Sequence, residues 1–68
     1  MVFLQNCAAY NLSPREVMVI RLITAGMTYK EAAAVLFISD KTVDSHMQHI
    51  YTKVGVRNKL ALLLKMYG

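Results

Sequence analysis

The sequence lacks the cysteine pairs that form disulfides and the long apolar runs that cross membranes. It contains one cysteine among 68 residues, so Cys7 has no partner for an internal disulfide and we expect a reducing, cytoplasmic setting. The longest apolar run, from Ala32 to Ile38, falls far short of the ~18 residues that a membrane-spanning helix needs. The apolar stretch from Met1 to Tyr10 lacks the positive charges that open a signal peptide. The sequence therefore predicts a soluble protein with no membrane partner.

Acidic side chains are also few. Four Asp and Glu stand against eight Lys and Arg, which gives a net charge of +4. This balance suits a polyanion such as nucleic acid, although a solvated basic face on a small domain gives the same count. At 68 residues the chain forms one domain at most, with little room for a substrate pocket.

Clusters of metal ligands are lacking as well. His46 and His49 are spaced as His-x-x-His, which on a helix can form part of a metal site. No cysteine or carboxylate cluster supplies a third ligand, so we expect no metal, no cofactor and no enzymatic activity. Strand signals, repeats and low-complexity tracts are missing too, which predicts an all-α fold.

The sequence does contain clear helix starts. Ser13 to Glu16 reads Ser-Pro-Arg-Glu, which combines an N-cap, a proline at the first helical position and a capping-box glutamate. Thr28 to Glu31 repeats the capping box, and Ser39 and Asn58 offer two further caps. Four helices are predicted, over about 14–24, 29–36, 40–54 and 58–67, and we expect them to form a four-helix bundle.

The third predicted helix has one apolar face. Its apolar residues follow the helical spacing i, i+4, i+7, i+11, at Val43, Met47, Ile50 and Val54. The opposite face is polar. Two short helices joined by a turn of three or four residues, the second longer and polar outside, are typical of a helix-turn-helix.

Six short motifs follow one another between Leu12 and Tyr67. They are Leu12-Ser13-Pro14-Arg15-Glu16, Ala25-Gly26-Met27-Thr28, Lys30-Glu31-Ala32-Ala33, Leu36-Phe37-Ile38-Ser39, Thr42-Val43 with His46, and Ile50 through Lys59. In this order and at these spacings they resemble the LuxR-type (NarL/FixJ) C-terminal DNA-binding domain of bacterial transcription regulators.

The resemblance implies a fold and a function for residues 12–68. They are expected to bind double-stranded DNA sequence-specifically and to regulate transcription, as response regulators do, with the helix at about 40–54 in the major groove. Residues 1–11 are then an N-terminal tail or linker, or an added helix. The sequence leaves open whether a regulatory domain precedes Met1.

The resemblance also implies two sets of DNA contacts. The base-contacting set is Lys41, Asp44, Ser45 and Gln48, and the phosphate-contacting set is Lys30, Thr42, His49 and Lys53. Gln48 can bond adenine through two hydrogen bonds, and Asp44 can accept one from the amino group of cytosine. Each member of the phosphate set can instead be an ordinary surface residue.

Asp44 departs from the family, because many members carry lysine or arginine at this position. Lys41, one turn earlier, can offset its charge. Three interpretations stay open: recognition of cytosine, rejection of wrong sites by repulsion, or a degenerate domain without DNA affinity. The last, together with the 56% apolar content, leads to an alternative function, a protein-protein interaction module that acts on another regulator.

The last predicted helix is apolar on more than one side. Similar domains dimerise on DNA through this helix, so we expect a homodimer formed by Leu60, Leu63, Leu64 and Tyr67. The alternative is that most of these side chains close a small core. The first predicted helix also carries more apolar surface than one buried face needs, and some of it is available to another domain or subunit.

Overall fold

Five helices account for most of residues 2–67, the part of the chain that the computed structural model describes, with side chains described from Gln5 onward. They are α1 (Val2–Ala9), α2 (Pro14–Thr24), α3 (Tyr29–Leu36), α4 (Asp40–Val54) and α5 (Lys59–Tyr67). No strand occurs within these residues, so the all-α prediction is confirmed. No described helix is long and apolar enough to cross a membrane.

The predicted caps form as hydrogen bonds at the start of α2 and α3. Ser13 Oγ accepts from the Glu16 amide at 3.2 Å, while Glu16 Oε1 accepts from the Ser13 amide at 2.7 Å. Thr28 and Glu31 form the same pair of bonds, at 3.1 and 2.9 Å. Because each box satisfies two amides that would otherwise lack a partner, the start of each helix is determined locally.

The predicted cap at Asn58 is confirmed, since Asn58 Oδ1 accepts from the Ala61 amide at 2.8 Å. The helix itself begins at Lys59, one residue after the approximate predicted start. At α4 the predicted cap is confirmed, because Ser39 Oγ accepts from the Thr42 amide at 3.1 Å.

The segment before Leu12 contains a helix, α1, which packs against α5. Of the two interpretations of residues 1–11, the added helix is therefore the one that the structure shows. Helix α1 adds a fifth helix to the predicted bundle of four, and it buries the Cys7 side chain in the core. Met1 and Gly68, the outer ends of the two predicted segments, lie outside the described residues.

The core lies between α4 and the helices around it. The predicted apolar face of α4 is confirmed: Val43, Met47 and Ile50 are fully buried and Val54 is nearly so. Burying one such side chain stabilises the fold by about 1.5–3 kcal/mol. Helix α3 packs against α4 and α2, and its buried Ala32 and Ala33 are small enough to let neighbouring helices lie close together.

A tight turn at residues 37–39 sets the direction of α4 relative to α3. Phe37 adopts the left-handed conformation, with φ of 56°. The Ile38 amide donates to Ala33 O at 3.0 Å and the Phe37 amide to Ala34 O at 3.4 Å, the two bonds of a Schellman motif. Residues 29–54 therefore form the predicted helix-turn-helix, with α4 as its second helix.

Candidate nucleic-acid interface

The outer face of α4 gathers the four predicted base-contacting residues. Lys41, Asp44, Ser45 and Gln48 are all exposed, and their spacing of i, i+3, i+4 and i+7 places them on one side of the helix. The side chains on the opposite side are buried in the core. With its 15 residues, α4 is ~22 Å long, and an α-helix of ordinary width fits the major groove.

Three of the four predicted phosphate-contacting residues are exposed on α3 and α4. Lys30 is exposed on the first turn of α3, and Thr42 and His49 are exposed on α4. The Thr42 hydroxyl lies 2.8 Å from Ser39 Oγ, and either oxygen can donate. Since a hydroxyl both donates and accepts, this bond leaves Thr42 the capacity for a second hydrogen bond.

Lys53, the fourth member of the phosphate set, has partners within the protein. Its Nζ donates to Glu16 Oε1 at 2.8 Å and to Asn11 O at 3.3 Å. An ammonium group has three donors, so these bonds leave one for solvent or a ligand. The sequence predicts Lys53 to be a phosphate contact or an ordinary surface residue, and the structure adds a structural role that neither interpretation includes.

Glu16 is the partner that sequence reasoning missed. It is 4% exposed, and burial alone would raise its pKa. The hydrogen bonds from Lys53 and from the Ser13 amide outweigh burial, so the pKa of Glu16 lies below its ordinary value. The capping-box motif pointed to its bond with Ser13, but no local pattern points to Lys53, which lies 37 positions away.

Asp44 lies near enough to Tyr29 for its charge to act on that side chain. Its charge contributes to raising the pKa of Tyr29 to about 12, after the larger effects of burial and of a hydrogen bond with Tyr51. Among the described residues, no ion pair joins Asp44 to Lys41. The carboxylate of Asp44 is therefore an exposed negative charge in the middle of the candidate interface.

The predicted dimer residues form a second candidate surface on α5. Leu60 and Leu64 are 67% and 66% exposed and Tyr67 is also exposed, whereas Leu63 is half-buried. Two other α5 side chains close the core, since Leu62 and Met66 are fully buried. The interpretation that most of the four residues serve the core is therefore wrong.

A groove of about 570 Å³ runs beside this surface, between α2 and α5. It is lined by Arg21, Thr24, Ala25, Leu63, Leu64 and Tyr67. Thr24 Oγ1 and Tyr67 Oη lie 2.8 Å apart across it, so Tyr67 contributes an anchored ring and not a freely rotating one.

The fold and the polar face of α4 define a helix-turn-helix domain. Residues 10–66 match the family described as "Bacterial regulatory proteins, luxR family", and the chain belongs to that family. The resemblance inferred from the sequence motifs is thereby confirmed. DNA-binding regulation of transcription is the class of function that this membership supports.

Curated relatives agree with this membership. The chain is 46% identical over 52 residues to the oxygen regulatory protein NreC of Staphylococcus aureus, a match that covers 76% of the chain and 24% of NreC. It is 38% identical over 53 residues to Mb0914c of Mycobacterium bovis, which is named as an HTH-type transcriptional regulator, with 78% of the chain and 6% of that protein covered. The chain thus spans a quarter or less of these relatives. No solved structure matches it significantly.

Proposed function

We propose that this chain binds double-stranded DNA sequence-specifically, with α4 in the major groove, and thereby regulates transcription. The observation that carries the proposal is the division of α4 into a fully buried side and an exposed polar side. On the exposed side, Lys41, Asp44, Ser45 and Gln48 supply donors and acceptors for base edges. Gln48 suits adenine, and Asp44 suits the amino group of cytosine.

Phosphate contacts hold the helix in register. We assign them to Lys30, Thr42 and His49, which are exposed on α3 and α4, and to the remaining donor of Lys53. The bonds from Lys53 to Glu16 and Asn11 fix the C-terminal end of α4 relative to α2. Lys53 is thus in our proposal both a structural lysine and a weaker phosphate contact than Lys30.

We infer that two copies bind DNA as a homodimer through Leu60, Leu63, Leu64 and Tyr67. The support is the exposure of the first, third and fourth of these residues on α5, an apolar surface that a lone domain leaves to water. Two recognition helices would then lie about one helical turn of DNA apart. The relatives are longer than this chain, and we leave the input signal and the sign of regulation unassigned.

Selection of bound sequences from random duplex DNA tests the proposal directly. We expect an enriched consensus with two inverted half-sites, and an affinity that falls roughly a hundredfold between about 50 and 200 mM salt if four phosphates are neutralised. Lys41→Gln should weaken binding to the selected duplex. Arg15→Gln, which removes one positive charge from an exposed position on α2, is the matched control.

A second candidate function is a protein-protein interaction module. It is favoured by the exposure of Met18 and Val35 beside a shallow apolar groove between α2 and α3 and by the negative charge of Asp44. A module of this kind would enrich no consensus, and any residual association with DNA would weaken equally in Lys41→Gln and in the control variant. That result would overturn the DNA-binding proposal.

A further inference from the structure

Helix α1 belongs to the folded domain although all of it lies outside the family match, which begins at residue 10. The Cys7 side chain is 4% exposed and is part of the core cluster. At the end of α1 the Leu12 amide donates to Cys7 O at 3.0 Å and the Asn11 amide to Ala8 O at 3.1 Å. These bonds form a Schellman motif with Asn11 in the left-handed conformation, so α1 joins α2 through an ordered turn.

The side chain of Asn6 connects α1 to the far end of α5. Its Nδ2 donates to Lys65 O at 2.9 Å and to Met66 O at 2.8 Å. Both carbonyls belong to the last turn of α5, where the backbone acceptors have no partner within the helix. Asn6 therefore caps the C-terminus of a helix that lies 59 or 60 positions away in the sequence.

This cap acts on the same turn that carries much of the predicted dimer surface. Helix α5 has nine residues, and a helix of that length is marginal without external support. Leu64 and Tyr67 lie in or beside the capped turn, whereas the base-contacting residues lie on α4. The helix-turn-helix packs through α2, α3 and α4 and makes no described hydrogen bond with Asn6.

We propose that α1 positions the dimerisation surface of α5, and that Asn6 is the positioning residue. The inference rests on the proposed function, because it assigns to α1 the presentation of Leu64 and Tyr67 to a second copy of this chain. Asn6 orders these side chains by holding the last turn of α5. Recognition of a single half-site by α4 does not depend on it.

Binding to two duplexes separates this role from a general effect on folding. One duplex carries the selected inverted repeat, and the other carries a single half-site with the second half scrambled. Asn6→Asp keeps the shape of the side chain and removes its donors. We expect it to lower affinity for the inverted repeat about tenfold and to leave the half-site affinity within about twofold of the unchanged chain.

Two further variants and one DNA-free measurement complete the test. Asn6→Gln retains the amide donors and should recover part of the affinity for the inverted repeat, and Gln5→Ala, an exposed neighbour, should change neither affinity. Amide hydrogen exchange in Asn6→Asp should speed up in the last turn of α5 and not in α4.

Several results would overturn the proposal. Equal losses on both duplexes, or no loss on either, would remove the positioning role while leaving DNA binding intact. Unchanged exchange in α5 would show that Asn6 does not order that turn. An unsubstituted chain that binds neither duplex would instead overturn the proposed function, and this inference with it.

Discussion

Lys53 Nζ lies 2.8 Å from Glu16 Oε1, and this contact joins the C-terminal end of α4 to the first turn of α2. Glu16 is buried, whereas 39% of the Lys53 side chain is exposed. The same carboxylate oxygen accepts from the Ser13 amide. The Glu16 side chain thus accepts a hydrogen bond at the start of α2 and also holds the C-terminal end of α4, the helix that we propose to bind DNA.

Glu16→Gln tests how much this pair stabilises the domain. We expect the free energy of unfolding to fall by about 1–3 kcal/mol, because a neutral amide replaces the carboxylate that Lys53 and Ser13 both bond. Urea denaturation measures the change. Glu31→Gln is the matched control, because Glu31 occupies the same place in the other capping box but is exposed. Equal losses in the two variants would show that the Lys53 contact contributes nothing beyond the cap.

The stability of the domain should depend on pH through Glu16. Its pKa in the folded state is lowered, so its contribution is present above the ordinary glutamate pKa of about 4.3 and is lost as pH falls through the folded value. The difference in unfolding free energy between the unsubstituted chain and Glu16→Gln should therefore shrink between about pH 5 and pH 3. A difference that stays constant over this range would show that ionisation of Glu16 does not contribute to the free energy of unfolding.

Local signals made most of the fold predictable. The caps at Ser13, Thr28 and Ser39 act over three residues, and the buried face of α4 follows one period, so both can be recognised in the sequence. Helix α1 has no acidic first turn and no basic last turn, and the side-chain hydrogen bonds of Asn6 reach residues 59 and 60 positions away. Its packing was therefore not predictable.

The candidate site was predictable only as a surface. Helical spacing indicates which residues share the outer face of α4, and family resemblance indicates which of them face DNA. Neither shows that Lys53 is bonded to Glu16 and Asn11, or that Tyr29 lies beside Tyr51, since these contacts depend on how separate helices meet. They change the expected roles of individual residues without moving the site.

Tyr29 should ionise at unusually high pH. Burial, the hydrogen bond with Tyr51 and the charge of Asp44 raise its pKa to about 12, so its stabilising contribution is complete below about pH 10 and is lost as pH rises through the folded value. Titration followed by ultraviolet absorbance should show a late step that Tyr29→Phe removes. Tyr51→Phe, which keeps the ring and removes the hydroxyl, should move that step to lower pH. A late step that persists in Tyr29→Phe would contradict this assignment.

Phe37 occupies a backbone conformation that suits glycine. Its φ is 56° and its side chain is 94% exposed, so glycine would relieve strain at almost no cost in buried surface. We expect Phe37→Gly to raise the free energy of unfolding by about 1 kcal/mol. Phe37→Ala removes the ring and keeps the Cβ, so it should give no such gain in thermal or urea unfolding. Equal gains in both variants would show that the gain comes from removal of the aromatic ring and not from relief of backbone strain.

Substitution of Asp44 distinguishes recognition of a base from a change in the general electrostatic attraction to DNA. If its carboxylate accepts from cytosine, Asp44→Ala should change the selected consensus at one position of each half-site, where a good contact is worth about 1–3 kcal/mol of discrimination. Affinity for unrelated duplex should rise, because a negative charge leaves the groove. Asp40→Ala, which removes an exposed carboxylate from the first turn of the same helix, should raise unspecific affinity without altering the consensus. An identical consensus for Asp44→Ala and the unsubstituted chain would refute base recognition by Asp44 and leave repulsion as its role.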